Sequence, residues 1–211
     1  MSTALKIGFA RLSDCAPIVV AKERGEYKAA SLDVTLQRFG SWAAMRDALA
    51  TGAIDAAHML SPMVVASAAG LAPFAEKLTT SLVLNLNGNA ITVSRAVFKE
   101  IQTRSPDLLN SRPLSAAALK PLIAARQARG EPPLTFAHVY LHSMHAYELK
   151  YWLAAGGVNP ITDVRLVVIP PERMVNALTV GEIDGCCVGE PWNNAAVVAG
   201  VGHTLINSVD I

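Results

Sequence analysis

The sequence predicts an α/β protein built as two lobes, each around a parallel sheet, and three observations carry that prediction. Strand-like and helix-like segments alternate, one strand–helix–strand unit is written twice, and the helices open and close at capping residues and glycines. Alternation of this kind makes βαβ units, whose crossovers lay strands side by side and parallel. The 211 residues suffice for two small lobes with a shared supply of apolar side chains.

Taken in order, Leu5–Phe9 reads as the first strand, followed by Ser13-Asp14 as the cap of a helix that stops at Gly25. Val34–Phe39 reads as the second strand. Ser41 then caps a helix from Trp42 to about Thr51, and Gly52 takes the position after it, where the backbone turns left-handed. Ile54–Met59 is the third strand. Ser61-Pro62 opens the next helix with proline in the first turn, where its missing N–H costs nothing. Asn87-Gly88 is a turn signal between strand-like Leu82–Leu84 and Ile91–Ser94, with backbone amides to offer a second lobe.

The duplication lies in Met45-x-x-Ala48-Leu49-x-x-Gly52-x-Ile54-Asp55, which recurs as Met174-x-x-Ala177-Leu178-x-x-Gly181-x-Ile183-Asp184. Upstream, Asp33-Val34-x-Leu36 pairs with Asp163-Val164-x-Leu166; downstream, Ser61-Pro62 and Glu190-Pro191 each start a helix. These matches predict lobes over 1–91 and 92–204, with Ile54 and Ile183 in equivalent strands and 205–211 beginning a return crossover to the first lobe. Ligands of open parallel sheets sit beyond the carboxyl ends of the strands, so two such lobes are expected to enclose a cleft. Phe98–Pro133, rich in arginine, lysine and proline, reads as an exposed, partly helical excursion.

Charge and motifs narrow the function. Eighteen Lys+Arg against 17 Asp+Glu give no basic field for nucleic acid. The longest uncharged stretch, Ala56–Ala75, is long enough for a membrane span, but His58, Ser61, Pro62, Gly70 and Pro73 punctuate it, so it reads as strand, helix and loop instead. The N-terminus lacks the basic and apolar regions of a secretory leader, which points to the cytoplasm, or to the periplasm if the true N-terminus lies upstream. Cys15, Cys186 and Cys187 have neither disulfide nor zinc spacing and read as reduced, packed thiols. Nucleophile-elbow, zincin, P-loop and dinucleotide fingerprints are missing from the sequence, so binding without chemistry is expected, with no cofactor.

Helix N-termini present unpaired N–H groups and a partial positive charge, which suits a small oxyanion. The candidate starts are Ser13-Asp14, Ser41-Trp42, Ser143-Met144-His145 and Glu190-Pro191-Trp192. Trp42 and His145 add ring N–H donors, whereas His138-x-Tyr140-x-His142 reads as the outer face of a strand. Ser41, Asn89 and Glu190, at the helix starts and the Asn-Gly turn, complete the candidate binding set.

Five strings resemble the nitrate- and bicarbonate-binding proteins of ABC importers over essentially the whole chain: Leu12–Pro17, Ser41-Trp42-Ala43, Val83–Thr92, Tyr151–Gly157 and Val188–Asn193. The resemblance implies the periplasmic-binding-protein type II fold, here C-terminally truncated, and anion contacts from Trp42 and His145. It implies nitrate or nitrite as ligand, and as partner either an ABC permease or, in a cytoplasmic sensor branch, an RNA-binding antiterminator. Bicarbonate is the rival ligand, with Glu190 or Asp14 serving an accompanying calcium ion. Gly185-Cys186-Cys187-Val188-Gly189 is similar to the cysteine string of metal-dependent pyrimidine synthases, the enzyme alternative. The family's pattern also leads one to expect an amide side chain where His58 stands, and a binding lysine beyond Ile211.

Overall fold

The computed structural model describes residues 3–71, 73 and 77–211. Met1, Ser2, Ala72, Phe74, Ala75 and Glu76 lie outside the described residues, and with them the first residues of the leader argument and part of the Ala56–Ala75 passage. The chain divides into two compact units, Met1–Leu86 with His142–Met144, and Asn87–Leu141 with His145–Ile211.

In the first unit the order is β1 Thr3–Phe9, α1 Ala16–Glu23, α2 Glu26–Ala29, β2 Leu32–Arg38, α3 Trp42–Ala50, β3 Ala56–Ala57 and α4 Ser61–Ala68. The sheet runs β2-β1-β3 with both pairings parallel. Ser41 caps α3 as expected, its Oγ accepting the Ala44 N–H at 3.2 Å. Ser13 does not cap α1: it starts a 3-10 turn, Ser13–Cys15, whose own cap is Leu12 with no side-chain bond. The third strand is only two residues long, and Ile54 is buried two residues before it. Residues 82–84 form no strand; Leu82 and Val83 are exposed. Asn87 and Gly88 both take left-handed backbone, with φ of 64° and 92°.

The second unit contains β4 Asn89–Ser94, α5 Arg95–Arg104, α6 Lys120–Ala128, β5 Leu134–His138, α7 Met144–Ala155, β6 Val164–Val168, α8 Met174–Thr179, β7 Gly185–Gly189, α9 Trp192–Val198 and β8 Gly202–Asn207. Its sheet runs β6-β5-β7-β4-β8, parallel across β6-β5-β7 and antiparallel across β7-β4-β8. Residues 205–207 end β8 against β4, in this unit.

Phe98–Pro133 is not a surface excursion. Ile101, Leu114, Ala116, Leu119, Leu122 and Ile123 lie in the main core with Phe136, Leu149 and Trp152. Trp152 reaches into the same stretch, its indole N–H donating to the Leu114 carbonyl at 2.8 Å. The arginines, lysines and prolines of the segment occupy the outer faces of α5, α6 and their linker, which is why composition hides the apolar stripe beneath.

The duplicated unit is the same structure twice. β1 pairs with β2 in the register Leu5↔Val34, and β5 with β6 as Leu134↔Val164. Ile7 faces Ala56 where Phe136 faces Gly185. Each helix ends on a glycine at φ 70° or 72°, a conformation that glycine adopts without the Cβ clash. Ile54 and Ile183 both donate to the carbonyl six residues back, at 3.3 and 3.4 Å. The next residue is an aspartate that grips the central strand twice. Asp55 N–H bonds Lys6 O at 2.9 Å and its carboxylate accepts Lys6 N–H at 2.7 Å. Asp184 does the same with Thr135, at 2.8 Å each way. Ile54 and Ile183 are thus equivalent, though both sit two residues before their strands.

Asp184→Ala leaves the Thr135 N–H without its acceptor, and a buried unsatisfied donor costs about 1–3 kcal/mol. Urea unfolding should show that loss, with Asp55→Ala, at the more exposed bond, costing less. A variant as stable as the wild type would show that the aspartate pairing contributes nothing.

Candidate functional site

In the first unit, three loops leave the carboxyl edge of one parallel sheet. Asp14 follows β1, Trp42 follows β2 and His58 follows β3. With β1 in the middle and its neighbours on either side, the chain reverses direction beside β1, the place where open α/β sheets bind ligands. The His58 N–H bonds the Gly8 carbonyl at 2.8 Å, which fixes the loop after β3 against β1.

The side chains meet at that edge. Trp42 and His58 are buried, 1% and 3% exposed, and their rings stack edge to face with centroids 5.4 Å apart. His58 Nε2 lies 3.2 Å from Asp14 Oδ2. Trp42 Nε1, His58 Nδ1 and Asp14 Oδ1 are buried without a hydrogen-bond partner among the described residues. Buried polar atoms are nearly always satisfied, and an orphaned one costs about 1–3 kcal/mol. Trp42 is also the first residue of α3, so its indole lies at the positive end of a nine-residue helix. A donor of this kind, held dry and unpaired, is suited to an acceptor that arrives from solution.

The second unit arranges its candidates differently. Asn89 opens β4 opposite Gly189, and Glu190 N–H bonds Gly88 O at 3.1 Å, so Asn89 and Glu190 share one end of the sheet. Asn89 Nδ2 donates to Glu148 Oε2 at 2.9 Å, tying β4 to α7. His145 is buried in the first turn of α7, three residues before Glu148 and therefore on the same side of the helix. Cys187 Sγ lies 3.9 Å from the same Glu148 oxygen. Burial drives the Glu148 carboxyl up, against the lowering pull of its bonds from Asn89 and Cys187. Glu190 accepts the Asn194 N–H at 3.2 Å, so its carboxylate closes the first turn of α9.

One sequence reading changes and another holds. His138 is not on an outer face: every residue of β5 is buried, and His138 Nδ1 lies 3.1 Å from Tyr140 O. Burial lowers its pKa, with Lys150 adding to that and the Tyr140 bond opposing it. The Cys186-Cys187 pair is sealed inside β7, and burial pushes Cys186 up to about 12. Metal ligation needs thiolate, so this environment opposes the enzyme reading. Groups of three or more metal-ligating side chains are absent among the described residues.

Sequence reasoning singles out Trp42, marks His58 only as standing where the family's pattern leads one to expect an amide, and misses Glu148 altogether. The repeat carries the signal for both. His58 lies three residues after Asp55 and Cys187 three after Asp184, so the two are equivalent positions, and each meets a carboxylate from the segment after the central one of its unit's three parallel strands, β1 or β5.

A model of the NMT1-like family matches residues 1–211. The nitrate/nitrite binding protein NrtA of Nostoc sp. strain PCC 7120 is 37% identical over 212 residues, covering 97% of this chain and 44% of that protein. The bicarbonate transport ATP-binding protein CmpC of Synechocystis sp. strain PCC 6803 is 35% identical over 209 residues, covering 98% and 29%. The crystal structure of the periplasmic nitrate-binding protein NrtA from Synechocystis PCC 6803 superposes with a TM-score of 0.81 at 31% identity, covering 98% of this chain and 52% of that one. The fold is the expected periplasmic-binding-protein type II fold. The chain spans less than half the length of the curated relatives it matches.

Glu148 gives a pH test of the second unit. Its folded pKa is raised, so the folded state holds a proton that the unfolded chain releases, and stability falls as pH rises from about 4 through the raised value. Glu148→Gln keeps the acceptor for Asn89 and removes the titration. Its stability relative to wild type should improve as pH climbs through that window, read by chemical denaturation. Parallel pH profiles would mean that Glu148 titrates as it does in the unfolded chain.

Proposed function

This chain belongs to the NMT1-like family, and we propose that it captures a small oxyanion, nitrate or nitrite, as the substrate-binding part of an ABC-type importer. The observation that carries this reading is the buried Trp42 indole N–H, without an acceptor among the described residues, at the carboxyl edge of the first unit's sheet. Nitrate is planar, needs several donors and offers none, and the Trp42 indole N–H is a donor that lacks an acceptor among the described residues.

The ligand contact proposed is Trp42, with Ser41 shaping the start of α3, in the first unit; His145 and Asn89 belong to the second unit. Asn89 keeps one amide N–H beyond the one it gives to Glu148. Glu190 is better placed as the cap of α9 than as an anion contact, because a carboxylate repels the ligand. The protein acts as a binder and not as an enzyme. The partner proposed is a membrane permease, since the named relatives are binding and transport components rather than RNA-binding regulators. No helix among the described residues is long and apolar enough to cross a membrane.

Bicarbonate is the second reading, favoured by the similarity to the bicarbonate transport protein. Calorimetric titration with nitrate, nitrite and bicarbonate separates them. Nitrate or nitrite should bind more tightly than bicarbonate. Trp42→Phe, which keeps the ring and removes the N–H, should weaken nitrate binding about tenfold or more, the effect of losing a bond to a charged acceptor. Equal affinity in wild type and Trp42→Phe would move the site away from α3, and a wild-type chain that binds none of the three would end the proposal.

A further inference from the structure

His58 presents the first unit with a second nitrogen that no described residue uses. Asp14 accounts for the other: as a carboxylate it only accepts, so the proton of that 3.2 Å contact belongs to His58 Nε2. Nδ1 then depends on the charge of the ring. In neutral His58 it carries a lone pair; in the imidazolium it carries N–H. The equivalent position in the second unit is Cys187, whose single sulfur points to Glu148 and has nothing further to offer. The histidine is therefore the version of this position that adds a hydrogen-bonding atom at the sheet edge.

Resting on the reading of the first unit as an anion site, we propose that His58 is a second ligand of the anion and binds it only as the imidazolium, so that capture is coupled to uptake of one proton. A neutral Nδ1 lone pair turned toward an oxyanion repels it. A protonated Nδ1–H donates to it, as does the Nε1–H of Trp42, whose ring packs edge to face against His58 with centroids 5.4 Å apart. Asp14 holds the ring by Nε2 and supports its positive charge. Asp14, from the turn after β1, is the charged side chain within ion-pair distance of it among the described residues, and α3 contributes Trp42, which does not titrate. Cys15, next to Asp14, is kept protonated because burial raises its thiol. No covalent bond changes: the proton comes from water or buffer and leaves when the anion does.

The test is nitrate titration of the chain by calorimetry in buffers of different ionisation enthalpy, between pH 5.5 and 8.5. Nitrate stays ionised throughout, so any proton exchanged belongs to the protein. Wild type should take up close to one proton per nitrate at the alkaline end. Its affinity should rise as pH falls, by at most about tenfold per unit for a single coupled proton. His58→Gln keeps an amide donor but cannot titrate; it should bind with a flat pH profile and no buffer dependence. Asp14→Asn should weaken binding at every pH while leaving Trp42 in place. Nitrate binding by wild type without proton uptake would overturn the role of His58 and leave the anion site standing. A pH profile that persists in His58→Gln would assign the proton to another group, with the same consequence. If His58→Gln does not fold, the wild-type buffer comparison decides alone. Absence of nitrate binding at any pH would instead remove the anion site itself.

Discussion

Each parallel sheet depends on one aspartate. Asp55 and Asp184 stand where a helix has just ended on a left-handed glycine, and each pairs through backbone and carboxylate with the central strand beside it. Two bonds to one residue set the register of the third strand before that strand begins. In the first unit this matters most, because β3 is only two residues long and has little ladder of its own to hold it. The register in turn decides what emerges three residues later at the carboxyl edge: His58 in one unit, Cys187 in the other.

From the same scaffold the two units have built different edges. In the second, the polar groups are turned inward on one another. Asn89 and Cys187 meet Glu148, and Thr92 donates to Asn193 at 2.8 Å while the Asn193 amide donates to Val188 O at 2.6 Å. Those bonds close a sheet edge with its neighbours and leave the buried amide satisfied. In the first, the tryptophan and histidine are as deeply buried, yet each keeps a nitrogen without a partner among the described residues. Burial without satisfaction lowers stability, so its retention is best accounted for by a ligand that supplies the missing acceptor.

Much of this was legible before any coordinates, for identifiable reasons. The repeat is visible because its residues answer backbone demands: glycine where φ is positive, aspartate where a strand N–H needs an acceptor, proline where a helix begins. Trp42 and its Ser41 cap follow from the same local rules. The core role of Phe98–Pro133 is obscured because Ile101, Leu119, Leu122 and Ile123 are scattered among charges and prolines, and their packing partners lie elsewhere in the chain. The strand-like look of residues 82–84 reflects apolar composition that the fold leaves exposed. His58 shows in the sequence only as a departure from the family's amide, and its place at the site is hidden for a different reason. Its meaning lies in Asp14 and Trp42, which the loops after three separate strands bring to it, and no local pattern records that meeting.

The central claim is that the Trp42 indole N–H waits for an anion, and its own NMR signal tests this most directly. The indole ¹H–¹⁵N resonances of Trp42, Trp152 and Trp192 can be followed during nitrate titration, with Trp42→Phe assigning the first. The account predicts a saturable shift of the Trp42 signal with the affinity seen by calorimetry, while Trp152, already bonded to Leu114 O, stays still. Heat of nitrate binding with an unmoved Trp42 resonance would contradict it.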